Sequence, residues 1–268
     1  MNEIISLHSV LKKILDKKFE TIKHKKEILP GKEIFKKLER HNYIHRDFKN
    51  SIRRKKERIS IIGECKRATP QRGIIRQDYN IEKIVRDYSL TNLVDAVSIL
   101  TEEQFFYGDL YHLVLARQST SLPILRKDFI IDEYQIYESL YYEADAILLI
   151  STILDKKQLK DFYIKAKSLS LEVLFEVHSL EDLEKVLELN PEIVGINNRN
   201  LENFVVDIKN TERLIKYIPK EVVVVSESGV SSKNNIKYLT DLGIDAVLIG
   251  SYFMEANNIK DALESLIL

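Results

Sequence analysis

The sequence predicts an α/β protein, a (β/α)8 barrel preceded by a helical extension, and three observations carry that prediction. From residue 59 onward, short runs rich in β-branched residues alternate with longer stretches whose apolar residues recur at helical period. Runs such as VVVV at 222–225 and AILLI at 146–150 are apolar on both faces, as strands of a parallel sheet covered by helices must be. The strand–helix pair recurs eight times before residue 268, the number that closes a barrel. A doubly wound open sheet is the alternative for such alternation, but no Gly-rich dinucleotide fingerprint follows any of the runs.

Residues 1–58 differ from the rest, and we divide the chain into a helical extension at 1–58 and a barrel at 59–268. Ile5, Val10, Leu11, Ile14 and Leu15 have helical spacing and place a helix over 7–25. A second helix is predicted over 32–40, with Pro30-Gly31 as the break between them. The basic runs at 23–26 and 53–58 read as solvated helix faces, because 41 Lys and Arg balance 41 Asp and Glu along the chain. His41 and His45 are one helical turn apart, but the sequence places no carboxylate or third ligand beside them for a metal.

In the barrel the predicted strands are 59–65, 95–100, 123–126, 146–150, 172–175, 193–196, 222–226 and 246–249. The helical patterns that follow them are 81–89, 110–118, 133–142, 157–169, 180–189, 208–217, 233–242 and 259–268. The first strand is the most informative. Its apolar run ends in Glu64-Cys65-Lys66, and Thr69-Pro70 and Gly73 then break the pattern. Strand side chains alternate faces, so Glu64 and Lys66 point one way and Cys65 the other. Two charges leaving a buried strand need a polar cavity to face.

The other strand ends supply one. They carry Lys127-Asp128-Phe129, Glu176, Asn197 with Arg199, Glu227-Ser228-Gly229 and Gly250-Ser251. Parity agrees throughout: Ile62 with Glu64, Leu125 with Lys127, Leu174 with Glu176, Gly195 with Asn197, Val225 with Glu227 and Leu248 with Gly250 all face inward. A lone Lys or Glu at a strand end is ordinarily a surface ion pair. Several strands ending in charges aimed at one axis make a mouth in which carboxylates and ammoniums shift one another's pKa values, the basis of an acid–base pair at neutral pH. Ser228-Gly229 and Gly250-Ser251 end strands seven and eight, whose loops form the phosphate site of many barrels. Glycine lets backbone N–H groups approach an anion, and a side chain at Gly250 is expected to block that approach. Cys65 is read as a small hydrophobe packed under the helices, and His178 as a histidine at a helix start rather than an aid to Glu176.

Composition narrows the rest. A net charge of zero gives no field to attract nucleic acid or a membrane surface. One cysteine excludes an internal disulfide framework. No apolar run reaches spanning length, and MNEIISLHSVLKKILDKK lacks the uninterrupted apolar core of a secretory signal, so a cytoplasmic protein is expected. The residues thus predict a cofactor-free, metal-free enzyme acting on a small phosphorylated anionic substrate by general acid–base chemistry.

The segments ECKRATPQRGII, ILTEEQFFYGD, LPILRKDFIID, ADAILLI, LFEVH, GINNRNL, VSESGV and LIGS, in this order and spacing, resemble the indole-3-glycerol phosphate synthase family of tryptophan biosynthesis. The resemblance covers nearly the whole chain. It implies ring closure, decarboxylation and dehydration of 1-(2-carboxyphenylamino)-1-deoxyribulose 5-phosphate, with the extension folded over the mouth. It implies Lys127 as general acid, Glu176 as base for dehydration, and Lys66 as the partner of the substrate's anionic groups and a second candidate acid. Glu64, Asn197 and Glu227 would orient substrate and lysines. Arg199 would lie near the anthranilate portion, Phe106 and Phe129 would pack on its ring, and Thr69, Ser228, Gly229, Leu248, Gly250 and Ser251 would contact the substrate, with its phosphate on the serines and glycines. Three departures stand out: Thr69-Pro70-Gln71 replaces Ser-Pro-Ser, Gly63 replaces a larger residue, and Tyr142-Glu143-Ala144 replaces a glycine-containing turn.

Overall fold

Eight parallel strands close into a barrel in the computed structural model, which describes residues 7–38, 43–56, 58–200 and 205–267. They are β1 (Ser60–Cys65), β2 (Ala96–Leu100), β3 (Ile124–Lys127), β4 (Ala146–Ile150), β5 (Glu172–Val177), β6 (Ile193–Asn197), β7 (Val223–Glu227) and β8 (Ala246–Ile249). Each pairs with its neighbours in sequence, and β8 pairs with β1 through Ser60↔Ala246 and Gly63↔Ile249. The barrel predicted from the alternation is therefore present, with its eight strands near their expected places. Strands β3, β5, β6 and β7 run one or two residues beyond the apolar pattern. Their ladders continue through Leu100↔Lys127, Ile150↔Glu176 and Asn197↔Glu227. Backbone hydrogen bonds do not register side-chain polarity, so a strand defined by apolar residues is cut short at its first charge.

Alternation sorts the strand side chains as parity requires. Ile62, Leu125, Leu174, Val225 and Leu248 fill the barrel interior. Cys65, Val97, Phe175 and Val194 face the helices, and burial pushes the Cys65 thiol up. Gly63 also faces outward, beneath Tyr88. A Cβ at Gly63 would come 2.8 Å from that ring, whose hydroxyl donates to the Glu64 carbonyl at 3.1 Å. The small residue at position 63 is thus matched by a large one on the covering helix. In the turn Tyr142-Glu143-Ala144, Glu143 takes the left-handed backbone, φ +66, that a glycine would adopt without strain.

The extension is a strap running from one end of the barrel to the other. Helix α1 (Leu7–Ile28) borders the mouth, where Val10, Leu11 and Ile14 reach the cavity. Helix α2 (Gly31–Leu38) lies on the barrel helix Glu133–Tyr141, with Ile34 packed in a cluster with Ile22, Ile131 and Tyr134. Beyond it the chain reaches the opposite end. The Tyr43 hydroxyl donates to Asp145, and the Phe48 N–H donates to Glu172 Oε2 at 2.6 Å. Helix α3 (Phe48–Ile52), capped by Asp47, buries Phe48 and Ile52 completely against the barrel interior. The extension is expected on the mouth; among its described residues α1 borders the mouth, whereas α3 packs on the floor. The turn-length apolar pair Phe48 and Ile52 was too short to register as a helix, yet it closes the barrel floor.

The basic runs are also reassigned. Lys25 pairs with Glu103 at 2.9 Å and Lys26 with Asp132 at 2.7 Å. On the floor, Arg58 pairs with Asp95 at 2.6 Å, Lys55 pairs with the same carboxylate, and Arg54 donates to the Thr240 carbonyl at 2.8 Å. These lysines and arginines are staples to barrel loops whose acids are remote in sequence. His45 has Glu172 at 3.5 Å and Asp145 at 4.0 Å, carboxylates the sequence could not place there. Its supposed partner His41, and residues 39–40 of the second predicted helix, lie outside the described residues. Among the described residues no helix is long and apolar enough to cross a membrane.

Because Phe48 fills the floor without exposure, Phe48→Ala should cost about 3–5 kcal/mol of stability through lost burial and a residual cavity. Equilibrium urea unfolding reads this directly, and a loss below about 1 kcal/mol would show that the plug adds little.

Candidate active site

At the C-terminal ends of the strands the barrel opens into a cavity of about 460 Å³. The odd strands β1, β3, β5 and β7 deliver Glu64, Lys127, Glu176 and Glu227 to it. Four inward side chains from alternate strands make one layer of a barrel interior. Here that layer is charged, and the next layer that the same four strands supply beneath it, Ile62, Leu125, Leu174 and Val225, is apolar.

Lys127 is the centre of the layer. Its Nζ lies 2.9 Å from Glu176 Oε2 and 2.6 Å from Glu227 Oε2. Lys66 Nζ lies 2.6 Å from Glu64 Oε2. Asn197 hydrogen-bonds Glu176 through its side chain and accepts the Arg199 backbone N–H at 3.0 Å. Two glycines make room for the carboxylates. A Cβ on Gly195 would come 2.2 Å from Glu227 Oε1, and one on Gly250 would come 2.0 Å from Glu64 Oε2. The second distance changes the expectation for Gly250: bulk there strikes the Glu64–Lys66 pair as well as any approaching anion.

Electrostatics separate the carboxylates. Burial opposes charge on all of them. For Glu176 the Lys127 ammonium, with hydrogen bonds from Lys127 and Asn197, outweighs burial and holds it down at about 2. For Glu227 burial, together with the repulsion of Glu176 and Glu64, outweighs the same lysine and pushes it up to about 7. Burial alone would lower Lys127, but Glu176, Glu227 and Glu64 reverse it and hold its ammonium well above the ordinary lysine range. The site therefore holds a firmly protonated lysine touching one ionised carboxylate and one carboxyl poised near neutrality.

The loops after β7 and β8 form the opposite wall. Ser228 and Gly229 both have left-handed backbone, φ +67 and +88. Asn198 pins this turn by donating to the Ser228 carbonyl at 3.0 Å and to Ser226 Oγ at 3.0 Å. Gly250 precedes the short helix Ser251–Glu255, so backbone N–H groups of both loops border the cavity. Phe106 and Phe129, with ring centroids 6.3 Å apart, border it beside Leu148, Ile150 and Ile153. Thr69 lines the cavity too, while its hydroxyl accepts the Arg72 N–H at 3.2 Å within the hairpin formed by Ala68–Thr69 and Gly73–Ile74. That hydroxyl is the feature that survives the Ser-to-Thr departure.

All the residues singled out in the sequence reach this one cavity: Glu64, Lys66, Thr69, Phe106, Lys127, Phe129, Glu176, Asn197, Arg199, Glu227, Ser228, Gly229, Leu248, Gly250 and Ser251. Sequence reasoning missed the α1 residues Val10, Leu11 and Ile14, and Asp128. The first three were visible as a helical apolar face, but nothing local says what such a face covers. Asp128 was read only as the middle of Lys127-Asp128-Phe129. It points away from Lys127, into a buried pairing with Lys18 of α1 at 2.9 Å and Arg126 at 2.9 Å. Among the described residues no group of His, Cys, Asp and Glu is arranged to hold a metal ion.

Comparison with known proteins agrees with this geometry. The family model described as indole-3-glycerol phosphate synthase matches residues 11–266. A protein of that name from Caldanaerobacter subterraneus subsp. tengcongensis is 48% identical over 247 residues, 92% of this chain and 93% of its own length. Another from Aliarcobacter butzleri is 46% identical over 255 residues, covering 95% and 97%. Among solved structures, a thiamine phosphate pyrophosphorylase from Pyrococcus furiosus superimposes with a TM-score of 0.59 at 16% identity, covering 82% of this chain and 96% of its own. A 3-hexulose-6-phosphate synthase from Salmonella typhimurium gives 0.59 at 12% identity, covering 78% and 96%. At these identities the two structures show the shared barrel fold alone.

The raised Glu227 makes a stability prediction. A carboxyl whose folded value lies above its ordinary 4.5 binds its proton more tightly in the folded state. Folding is then favoured at low pH, and the cost of ionising the group grows from pH 4.5 to about 7 and stays complete above that. Glu227→Gln removes that cost and should stabilise the protein at pH 8 by about 1–3 kcal/mol relative to wild type, the advantage fading by pH 5. Urea unfolding at the two pH values decides it. An advantage that is larger at pH 5 would reverse the assignment.

Proposed function

The chain belongs to the indole-3-glycerol phosphate synthase family, and on that premise we propose how its own side chains divide the work of the reaction. It is a carboxy-lyase that turns 1-(2-carboxyphenylamino)-1-deoxyribulose 5-phosphate into indole-3-glycerol phosphate. The reaction joins the aryl carbon bearing the carboxylate to the ketone carbon, expels carbon dioxide and then expels water. It asks for three things: an anchor for the phosphate, a face for the aryl ring, and an acid and a base that do not neutralise each other.

The observation that carries the assignment is the Lys127 ammonium held between Glu176 and Glu227. An ammonium can give a proton to the ketone oxygen as the aryl carbon attacks, cancelling the alkoxide as it forms. The same ion pair gives the sequence of events. While Lys127 is charged, Glu176 is ionised and a weak base. Once Lys127 has donated, the charge that held Glu176 down is gone, and its basicity rises in time to take the proton that must leave in the dehydration. Acid and base are thereby used in turn.

The remaining residues position the substrate. Lys66, beside Glu64, reaches the substrate's anionic groups and is the second candidate acid for the departing hydroxyl. Glu227, poised near neutrality, holds Lys127 in line and accepts or donates to the sugar hydroxyls, and Asn197 keeps Glu176 oriented. Phe106 and Phe129 pack on the aryl ring, with Arg199 toward its carboxylate. Backbone N–H groups at Ser228, Gly229, Gly250 and Ser251 hold the phosphate, with Thr69 and Leu248 completing the wall. The α1 residues Val10, Leu11 and Ile14 close the apolar side.

Two variants test this reading. Lys127→Ala should slow single-turnover indole formation by about 10²–10⁴-fold while the protein stays folded. The chain contains no tryptophan, so product fluorescence excited beyond tyrosine absorption stands clear of the protein. Gly250→Ala should lower kcat as well as raise KM, because its Cβ displaces the Glu64 carboxylate. A rise in KM alone would confine Gly250 to the phosphate, and a Lys127→Ala enzyme of near-normal rate would remove Lys127 from the acid role.

A further inference from the structure

Beside the Lys127–Glu176 pair lies a histidine whose protonation its hydrogen bonds determine. His178 ends the segment that carries Glu176 and precedes the helix Leu180–Leu187. Its ring is nearly buried and meets two other elements. Nδ1 is 3.2 Å from Thr152 Oγ1, in the turn after β4, and Nε2 is 3.3 Å from Glu176 Oε1. Asp182 of the following helix accepts both the His178 backbone N–H at 3.2 Å and the Thr152 hydroxyl at 2.8 Å. Asn210 donates to the His178 carbonyl at 3.2 Å and fixes the backbone from a fourth side.

These contacts favour one tautomer. Thr152 has one hydroxyl proton, and it goes to Asp182, since a carboxylate oxygen only accepts. Thr152 Oγ1 must then accept from His178, so the proton of the neutral ring is on Nδ1. The other nitrogen, Nε2, presents a lone pair to a carboxylate oxygen. It is buried and makes no hydrogen bond as the site stands. A bare nitrogen and a carboxylate oxygen 3.3 Å apart form a hydrogen bond only when one of them gains a proton.

We propose that His178 is a positioning residue that acts through Glu176, receiving at Nε2 the proton that Glu176 removes from the substrate. This rests on Glu176 as the base of the dehydration. The step balances as follows. The substrate's C–H electron pair becomes the new ring double bond as the hydroxyl, protonated by a lysine, departs as water. The proton on Glu176 Oε1 passes to the Nε2 lone pair, giving an imidazolium whose Nδ1–H stays on Thr152. Glu176 is again ionised and again pairs with Lys127. The imidazolium gives up the Nε2 proton to solvent once product has left the cavity, and the lysine recovers its own from solvent. The charged groups facing the ring are Glu176, Asp182 and Lys127. Burial and Lys127 hold the imidazole below its ordinary value against the two carboxylates, so it is neutral and able to accept at neutral pH.

Three measurements on the whole enzyme test the proposal. Nitrogen-15 NMR of histidine-labelled protein should show His178 at pH 7.5 with Nδ1 protonated and Nε2 bare, and a proton resting on Nε2 would overturn it. In single-turnover dehydration, His178→Asn should slow the step by about tenfold with little change in KM, and should abolish the acidic limb due to imidazole protonation. His178→Gln keeps a donor toward Glu176 without a titrating atom, so a Gln variant at the wild-type rate would show that hydrogen bonding suffices and sink the relay. An unchanged His178→Asn rate and pH profile beside a slow Glu176→Gln enzyme would mean that Glu176 returns its proton to Lys127 directly, and the relay fails while the base assignment stands. A Glu176→Gln enzyme of normal rate would instead remove the base assignment on which the relay rests.

Discussion

A buried ammonium wedged between two buried carboxylates is the constraint that the rest of this barrel answers to. Lys127 on β3 reaches Glu176 on β5, two strands away, and Glu227 on β7, four strands away across the closed barrel. Removing the lysine from such a group would leave buried carboxylate charge uncompensated at a cost of about 3–5 kcal/mol, so strand register, barrel closure and local space must all be right together. Closure brings the four odd strands to one layer. Gly195 leaves the volume that Glu227 occupies, and Gly250 does the same for Glu64. An alanine at either place would push a carboxylate away from its lysine. The glycines here serve as gaps in a packed wall rather than as flexible joints.

The extension supports the same arrangement from outside. Lys18 of α1 is buried between Glu103 and Asp128, and Asp128 is the residue after Lys127. Arg126, the residue before it, is buried with Asp128 and Glu138, and Lys25 reaches Glu138 and Glu103. Lys18 and Arg126 outweigh burial and hold Asp128 below the usual carboxylate range. The backbone on both sides of Lys127 is therefore fixed by a second ionic network, on the outward face of β3, that is continuous with the helix bordering the mouth. At the other end Phe48 and Ile52 fill the floor, and the floor's basic residues pair with Asp95 and the loop before β8. One strap thus fixes both ends of a barrel whose chemistry tolerates little displacement.

The barrel, the inward parity of its strands and the set of cavity residues were legible because each follows from a local rule. Period-two alternation gives facing, and an apolar strand ending in a charge gives position. What was not legible depends on residues far apart in sequence. Lys25, Arg54 and Arg58 look like solvent-facing cations until Glu103, Asp95 and the Thr240 carbonyl are brought to them. Phe48 and Ile52 are too short a pattern to announce a floor plug. The apolar face of Val10, Leu11 and Ile14 is plain, but not that it borders the mouth. Glu143 sits at a left-handed position where the sequence gives no glycine to mark it. His178 shows the same limit most clearly. Its role depends on where the proton of Thr152 goes, and that is set by Asp182 only once the fold has formed.

Charge counting inside the mouth explains why its carboxylates differ. Glu64 pairs with Lys66, while Glu176 and Glu227 both lie against the single ammonium of Lys127. A low-dielectric cavity cannot divide that ammonium evenly, because sharing one lysine between two ionised carboxylates forces them to repel at short range. The asymmetry falls on Glu227. Glu176 has Asn197 in addition to Lys127, whereas Glu227 Oε1 is buried above Gly195 with no partner. Glu176 therefore keeps the charge and Glu227 rises toward neutrality. An approaching substrate brings a carboxylate and a phosphate, and a mouth with all three acids ionised would oppose both. Holding a proton on Glu227 removes one negative charge from the mouth and leaves the cations there free to attract the anion. The same arrangement leaves a firmly protonated Lys127 and an ionised Glu176 in contact, the pair to which the proposed acid and base roles are given.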